Sequence, residues 1–86
     1  MLDDLDWAAA DLQHATDLMR QSEERGVSIN EVWSSGEFTW HMRTWQDKVP
    51  VGRGETMGGL WNVSLTAESS TSRWSFSWTG DGWVAT

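Results

Sequence analysis

The chain has 86 residues, no cysteine and a formal net charge of −7 at pH 7. A chain of this length forms one domain, here residues 1–86, and a core of that size gives only marginal stability. Without cysteine there are neither disulfides nor thiolate metal sites, and two scattered histidines are too few to hold a metal. The acidic balance repels phosphate, so we expect no direct binding to nucleic acid and none to acidic lipid.

The sequence carries no membrane or export signal. Its apolar runs stay well below the roughly 18–20 residues that cross a membrane. The first six residues, Met-Leu-Asp-Asp-Leu-Asp, are acidic where a secretory signal is positively charged. We therefore expect a soluble protein located in the cytoplasm.

Residues 3–25 are predicted to form one amphipathic helix. At about 100° per residue, Leu5, Leu12 and Met19 fall on one line, and alanines lie beside them. Gly26 supplies a residue type that ends helices. The small side chains on this apolar face leave room for large ones on whatever packs against it.

The same helix concentrates the negative charge. Residues 1–31 hold eight acids and two bases, whereas the remaining residues hold five acids and four bases. The carboxylates that gather on the face opposite the leucines are Asp3, Asp6, Asp17 and Glu24. Such a stripe on a rigid element can dock on a basic groove.

The second half of the chain changes to a period of two, which is typical of strands with one apolar and one polar face. We predict strands at 59–66, 72–79 and 82–86, with tryptophans on one side and serine and threonine on the other. Tight turns rich in Ser, Thr, Gly and Asp separate them.

The middle of the chain is ambiguous. Ser28 to Glu31 matches a capping box, which favours a turn over 28–34. Residues 37–45 alternate like a strand, yet their aromatic spacing also fits a helix; we favour the strand. Residues 46–57 contain the only proline and two glycines, and this composition indicates a loop.

These elements predict an α+β fold. One N-terminal amphipathic helix packs on a three- to four-stranded antiparallel β-meander. Helix alanines meet tryptophans of the sheet, and the hydroxyl-rich face of the sheet is open to water.

No pattern commits the chain to a reaction, and we expect no enzyme, no cofactor and no metal. His14 and His41 are the only bases that titrate near neutrality, and no nucleophile motif accompanies them. The glycines at 52, 54, 58 and 59 do not join a strand to a helix, and no Lys-Ser/Thr pair follows, so they do not form a phosphate loop.

Tryptophan is used unusually often. Eight tryptophans and two phenylalanines are more than one small helix can cover. We expect Trp33 and Trp45 to be partly exposed, with Trp83 and Trp7 as further candidates. Exposed tryptophan is a frequent anchor of protein interfaces.

The sequence therefore favours a small acidic protein that binds another protein, one with a basic surface, and acts stoichiometrically. An inhibitor, an immunity-type protein or a phage-encoded accessory factor has this character. The predicted contact residues are Asp3, Asp6, Asp17, Glu24, Trp33 and Trp45. Two alternatives stay open: a structural subunit of a homo-oligomer or virion, and a saccharide-binding module with an aromatic platform.

Overall fold

A computed structural model describes residues 5–86 of the protein. The α+β class is confirmed, and the sheet has five strands where the sequence predicted three to four. In chain order the elements are a 3₁₀ turn (Asp6–Ala8), α1 (Ala9–Arg25), β1 (Asn30–Ser35), β2 (Phe38–Gly52), β3 (Glu55–Glu68), β4 (Arg73–Trp78) and β5 (Trp83–Ala85).

The helix is shorter than predicted at its start and ends where predicted. Residues 3 and 4 of the predicted helix lie outside the described residues, and α1 itself begins at Ala9 after the 3₁₀ turn. It ends at Gly26, whose φ of 64° places it in the left-handed region. The N–H of Gly26 donates to Glu23 O and that of Val27 to Ser22 O, the pair of bonds that closes a Schellman motif. No helix within residues 5–86 has the length and apolar character needed to cross a membrane.

The five strands form a single antiparallel meander in which each strand pairs with the next along the chain. The hairpin between β1 and β2 closes across the Ser35–Phe38 pair, with Gly36 at a φ of 60°. β1 and β5 are therefore the edges of the sheet, and the long strands β2 and β3 lie near its centre.

The predicted turn at 28–34 is wrong, because most of it is strand β1. Trp33 pairs with Trp40 and Asn30 with Arg43, so the segment forms a hairpin with β2. This pairing satisfies the backbone groups of β1 that face β2, whereas an isolated helical turn nucleates unfavourably. The ambiguity over 28–45 is thus resolved: both halves are strands.

The predicted loop at 46–57 is also wrong, because it is the far half of the β2–β3 hairpin. Gly52 pairs with Glu55, leaving a two-residue turn of Arg53 and Gly54. Their φ angles of 53° and 78° are both positive, as a type I′ hairpin turn requires. Pro50 can be accommodated in β2 because no strand pairs with the other side of β2 at this point, so no hydrogen bond is lost there.

This hairpin extends beyond the rest of the sheet. β1 pairs with β2 only as far as Arg43, and β4 pairs with β3 only from Leu65 onward. Within residues 44–64, here called the arm, strand pairing is therefore confined to β2 and β3; Thr44 N–H also donates to Ile29 O at 2.8 Å. The molecule is accordingly elongated, with extents of 49 × 26 × 22 Å.

The core lies between α1 and one face of the sheet. Trp40 is its centre: it is fully buried and stacks on Trp33 at 5.9 Å and on Phe76 at 5.3 Å between ring centroids. Ala8 and Ala15 approach the sheet with no exposed surface. The other buried core residues are Leu12, Leu18, Met19, Met42, Leu65 and Ala67. The indole N–H of Trp40 finds no acceptor among the described residues.

A chain of three hydrogen bonds joins the end of α1 to the sheet. Ile29 N–H donates to Thr44 Oγ1 at 2.8 Å, and the Thr44 and Ser22 hydroxyl oxygens lie 2.6 Å apart. Ser22 Oγ in turn donates to Val27 O at 2.6 Å. Because the Ser22 hydrogen goes to that carbonyl, Thr44 is the donor in the central bond.

Replacing Thr44 with valine should destabilise the fold by about 1–3 kcal/mol, because buried donor and acceptor groups lose their partner. The matched control is Thr39→Val on the same strand, where the side chain is exposed and a change within about 0.5 kcal/mol is expected. Urea unfolding followed by tryptophan fluorescence measures both. Equal effects in the two variants would show that the bond chain contributes nothing.

Candidate functional site

The predicted acidic residues do not form one uniform surface. Asp3 lies outside the described residues, and Asp6 is exposed in the 3₁₀ turn. Asp17 and Glu24 are exposed on the helix face that points away from the sheet. The Asp17 carboxylate accepts a hydrogen bond from Gln13 Nε2 at 3.0 Å, a contact on the helix surface itself.

A positive charge interrupts this helix face. Arg20 is exposed and lies three residues after Asp17 and four before Glu24, the spacings at which helical side chains are neighbours. Its guanidinium offsets part of the attraction that the two carboxylates exert on a basic partner. The described part of the helix therefore presents a mixed surface and not the continuous acidic stripe expected from the sequence.

The carboxylate of Asp11 serves the fold. It accepts one hydrogen bond from Trp33 Nε1 and another from Ser35 Oγ, both at 3.0 Å. These bonds tie β1 to the helix. Sequence reasoning could not separate Asp11 from the other acids, because its partners are more than twenty residues away.

The two predicted tryptophan anchors differ in their surroundings. Trp33 is half-buried, with its N–H on Asp11 and its ring parallel to Trp40. Trp45 lies on the outer face of the sheet, opposite the helix, and the guanidinium of Arg43 covers its ring at 5.2 Å from the centroid. Only Trp45 is placed outside the helix–sheet core, so of the two it is better positioned to meet a partner.

The arm carries a group of exposed apolar side chains that sequence reasoning missed. Here called the arm patch, they are Val49, Val51, Met57 and Leu60, exposed by 42%, 53%, 57% and 79%. Val49 and Met57 are cross-strand partners, so their side chains share a face. The signal was present as Val49 and Val51 before Gly-Arg-Gly and Met57 and Leu60 after it, a hairpin pattern hidden by the proline.

Trp45 extends this surface along β2. It is four residues from Val49, and alternate residues of a strand point to the same side. Gly59 sits opposite, and a Cβ there would come within 2.8 Å of Val49 Cγ2, so the missing side chain lets the valine lie against the backbone. The arm also balances two acids against two bases, Asp47 and Glu55 against Lys48 and Arg53. A neutral, apolar arm thus projects from a strongly acidic molecule.

A cavity of about 310 Å³ lies where the arm leaves the sheet, on the side of the helix. Its floor is the cross-strand pair Thr44 and Val63. The residues that line it are Met19, Glu23, Thr44, Trp61, Asn62, Val63, Ser77 and Trp78. Elsewhere in residues 5–86, no three side chains of His, Asp or Glu come together in a way that would hold a metal ion.

Comparison of the chain with protein-family models, with curated proteins and with solved structures finds no match. Three surfaces of the described residues are candidates for a functional site: the arm patch with Trp45, the mixed helix face, and the cavity at the root of the arm.

Asp11→Ala should lower the free energy of unfolding by about 1–3 kcal/mol, because the Trp33 N–H and the Ser35 hydroxyl lose their acceptor. Asp17→Ala is the control on the same helix, with an exposed carboxylate and an expected change within about 0.5 kcal/mol. Chemical denaturation of both variants tests this. A loss of the same size in both would contradict the assignment of Asp11 to the fold.

Proposed function

We propose that the protein is a small non-enzymatic binding protein that acts stoichiometrically by occupying a surface on another protein, as an inhibitor or accessory factor does. The observation that carries this proposal is the arm patch. Four apolar side chains between 42% and 79% exposed lie on one projecting hairpin. Val49 and Met57 are cross-strand neighbours, and exposed apolar side chains that lie together mark interaction sites more often than single ones do.

The faces of the arm, and not its edges, are suited to this contact. Unpaired strand edges invite further strands, and proteins blunt them with lysine, proline and bulges. The free edge of β2 carries Lys48 and Pro50, and the pairing with β3 shifts register at Gln46/Lys48 and again at Pro50/Gly52. These features disfavour the addition of a strand and leave the side chains of the arm patch as the contact.

The acidic charge has a different role in this proposal. The helix packs on one face of the sheet, whereas Trp45 lies on the other, so one flat partner cannot contact both. A net charge of −7 nevertheless creates a field that extends beyond contact distance and speeds encounter with a basic partner. Asp17 and Glu24 then guide association, and the arm makes the contact.

Self-association is the competing function, because a second copy of the chain could cover the same patch. The guarded edges of the arm argue against assembly by strand addition. Light scattering separates the two: a monomer that retains its partner supports binding to another protein, and a defined oligomer supports assembly. An aromatic saccharide platform has less support, because Arg43 already covers the ring of Trp45.

The triple variant Val49→Ser, Met57→Ser, Leu60→Ser should abolish capture of the partner from lysates of cells that produce the protein. Removing apolar contacts at the centre of an interface weakens binding by at least tenfold. The matched control is Val32→Ser with Val84→Ser, two exposed valines on the edge strands β1 and β5. Native mass spectrometry of the captured complex gives the stoichiometry, for which we expect one copy of each protein.

Both variants change exposed residues, so the free energy of unfolding of each should lie within about 1 kcal/mol of that of the parent protein. Retention of the partner by the arm variant, or loss by the control variant alone, would place the interface elsewhere.

A further inference from the structure

The cavity at the root of the arm has a definite construction. Thr44 and Val63 face each other on β2 and β3 and form its floor. Trp61 lies two residues further along β3 on the same face, and Trp78 lies on the neighbouring strand β4. Met19 and Glu23, one helical turn apart on α1, form the remaining side. Two tryptophans and one glutamate are therefore among the residues that line a space open to solvent.

Among the polar groups that line the cavity, the Glu23 carboxylate is the charge that can bind a ligand. The Thr44 hydroxyl is engaged by Ile29 N–H and by Ser22. The Glu23 side chain is exposed, and among residues 5–86 no hydrogen bond or ion pair engages its carboxylate. The carboxylate also sits in the last turn of α1, where the helix dipole is negative and a cation is the favoured neighbour.

The structure contains one contact between a guanidinium and a tryptophan ring. The Arg43 side chain lies over the ring of Trp45 at 5.2 Å from the centroid, within the distance of a cation–π contact. Trp61 and Trp78 offer the same ring chemistry, and Glu23 adds a carboxylate that a planar guanidinium can meet with two hydrogen bonds. The cavity of about 310 Å³ is at the lower end of the range for ligand sites, which suits a single side chain.

We infer that this cavity binds an arginine side chain of the partner protein, with the guanidinium against Trp61 and Trp78 and paired with Glu23. The inference rests on the proposed function, since it names the residue that a basic partner would insert. The arm is a thin two-stranded ribbon, so a partner that grips it can contact the arm patch and reach the cavity on the other side. Arginine is favoured over lysine because its flat, weakly hydrated cation stacks on indole.

The test uses the purified protein and needs no partner. Nα-acetyl-arginine methylamide, a blocked arginine, is titrated while the indole N–H signals of the ¹⁵N-labelled protein are followed by NMR. The signals of Trp61 and Trp78, assigned through Trp→Phe variants, should shift with a dissociation constant on the order of millimolar, whereas that of Trp74 should not.

The pair Glu23→Gln and Glu31→Gln tests the charge. Both residues are exposed acids, but Glu23 lines the cavity, whereas Glu31 lies on edge strand β1. Glu23→Gln should weaken binding of the blocked arginine about fivefold, the size expected of a partly solvated ion pair, and Glu31→Gln by less than about twofold. Raising the salt concentration should reduce the difference between the variants. Equal weakening by both substitutions would overturn the inference.

Three further probes separate the sources of the signal. Nα-acetyl-lysine methylamide that binds as tightly as the arginine probe would refute guanidinium stacking. Free L-arginine that binds tenfold more tightly than the blocked form would indicate a site for the amino acid itself and contradict a partner side chain. If methyl glucoside shifts the indole N–H signals of Trp61 and Trp78 and the arginine probe does not, the result would favour the saccharide alternative.

The inference and the proposed function fail in different ways. If the arginine probe leaves Trp61 and Trp78 unchanged but the arm variant still loses the partner, only the inference is wrong. If the probe binds and the arm variant keeps the partner, the arginine site in the cavity is supported and the arm is not the interface.

Discussion

Two tryptophan N–H groups donate hydrogen bonds from the sheet to the helix. The position of these bonds determines which part of the sheet the helix covers. Trp33 Nε1 donates to Asp11 from edge strand β1, and Trp83 Nε1 donates to Thr16 from edge strand β5, each at 3.0 Å. Both acceptors are on α1. Indole combines a large apolar ring with a single donor, so each tryptophan packs against the core and fixes its position with the same side chain. The helix is thereby centred over the sheet between its two edges.

A helix fixed in this way cannot cover the whole sheet. At 1.5 Å per residue, the 17 residues of α1 extend about 26 Å. The 15 residues of β2, at about 3.3 Å each, extend about 50 Å, in keeping with the 49 Å length of the molecule. The difference in length is the arm. The exposure of the arm patch follows from helix and strand geometry, because the helix ends before it reaches Val49, Val51, Met57 and Leu60.

The sequence was sufficient where the structure depends on local periodicity and insufficient where it depends on distant partners. The helix and its end at Gly26, and the alternation in the second half of the chain, follow from spacing alone. Strand β1 does not, because its stability comes from pairing with β2. The arm was hidden because Pro50, Gly52 and Gly54 are residue types typical of loops, and the pairs Pro50–Thr56 and Gly52–Glu55 are seen only in the structure. Similarly, Trp45 could be predicted as a contact residue from its residue type, whereas Leu60 and Glu23 become candidates only when their surroundings in the structure are known.

Three departures from local rules lie in one part of the molecule. Arg53 adopts a positive φ, Leu60 is the most exposed of the large apolar residues described, and Glu23 adds negative charge at the negative end of a helix. All three belong to the arm or to the cavity at its root. The helix–sheet interface contains one comparable departure, the unpartnered Trp40 N–H. Proteins tolerate unfavourable local choices chiefly where function requires them, so these three positions agree with the role proposed for the arm and its root, which the helix and sheet hold in place.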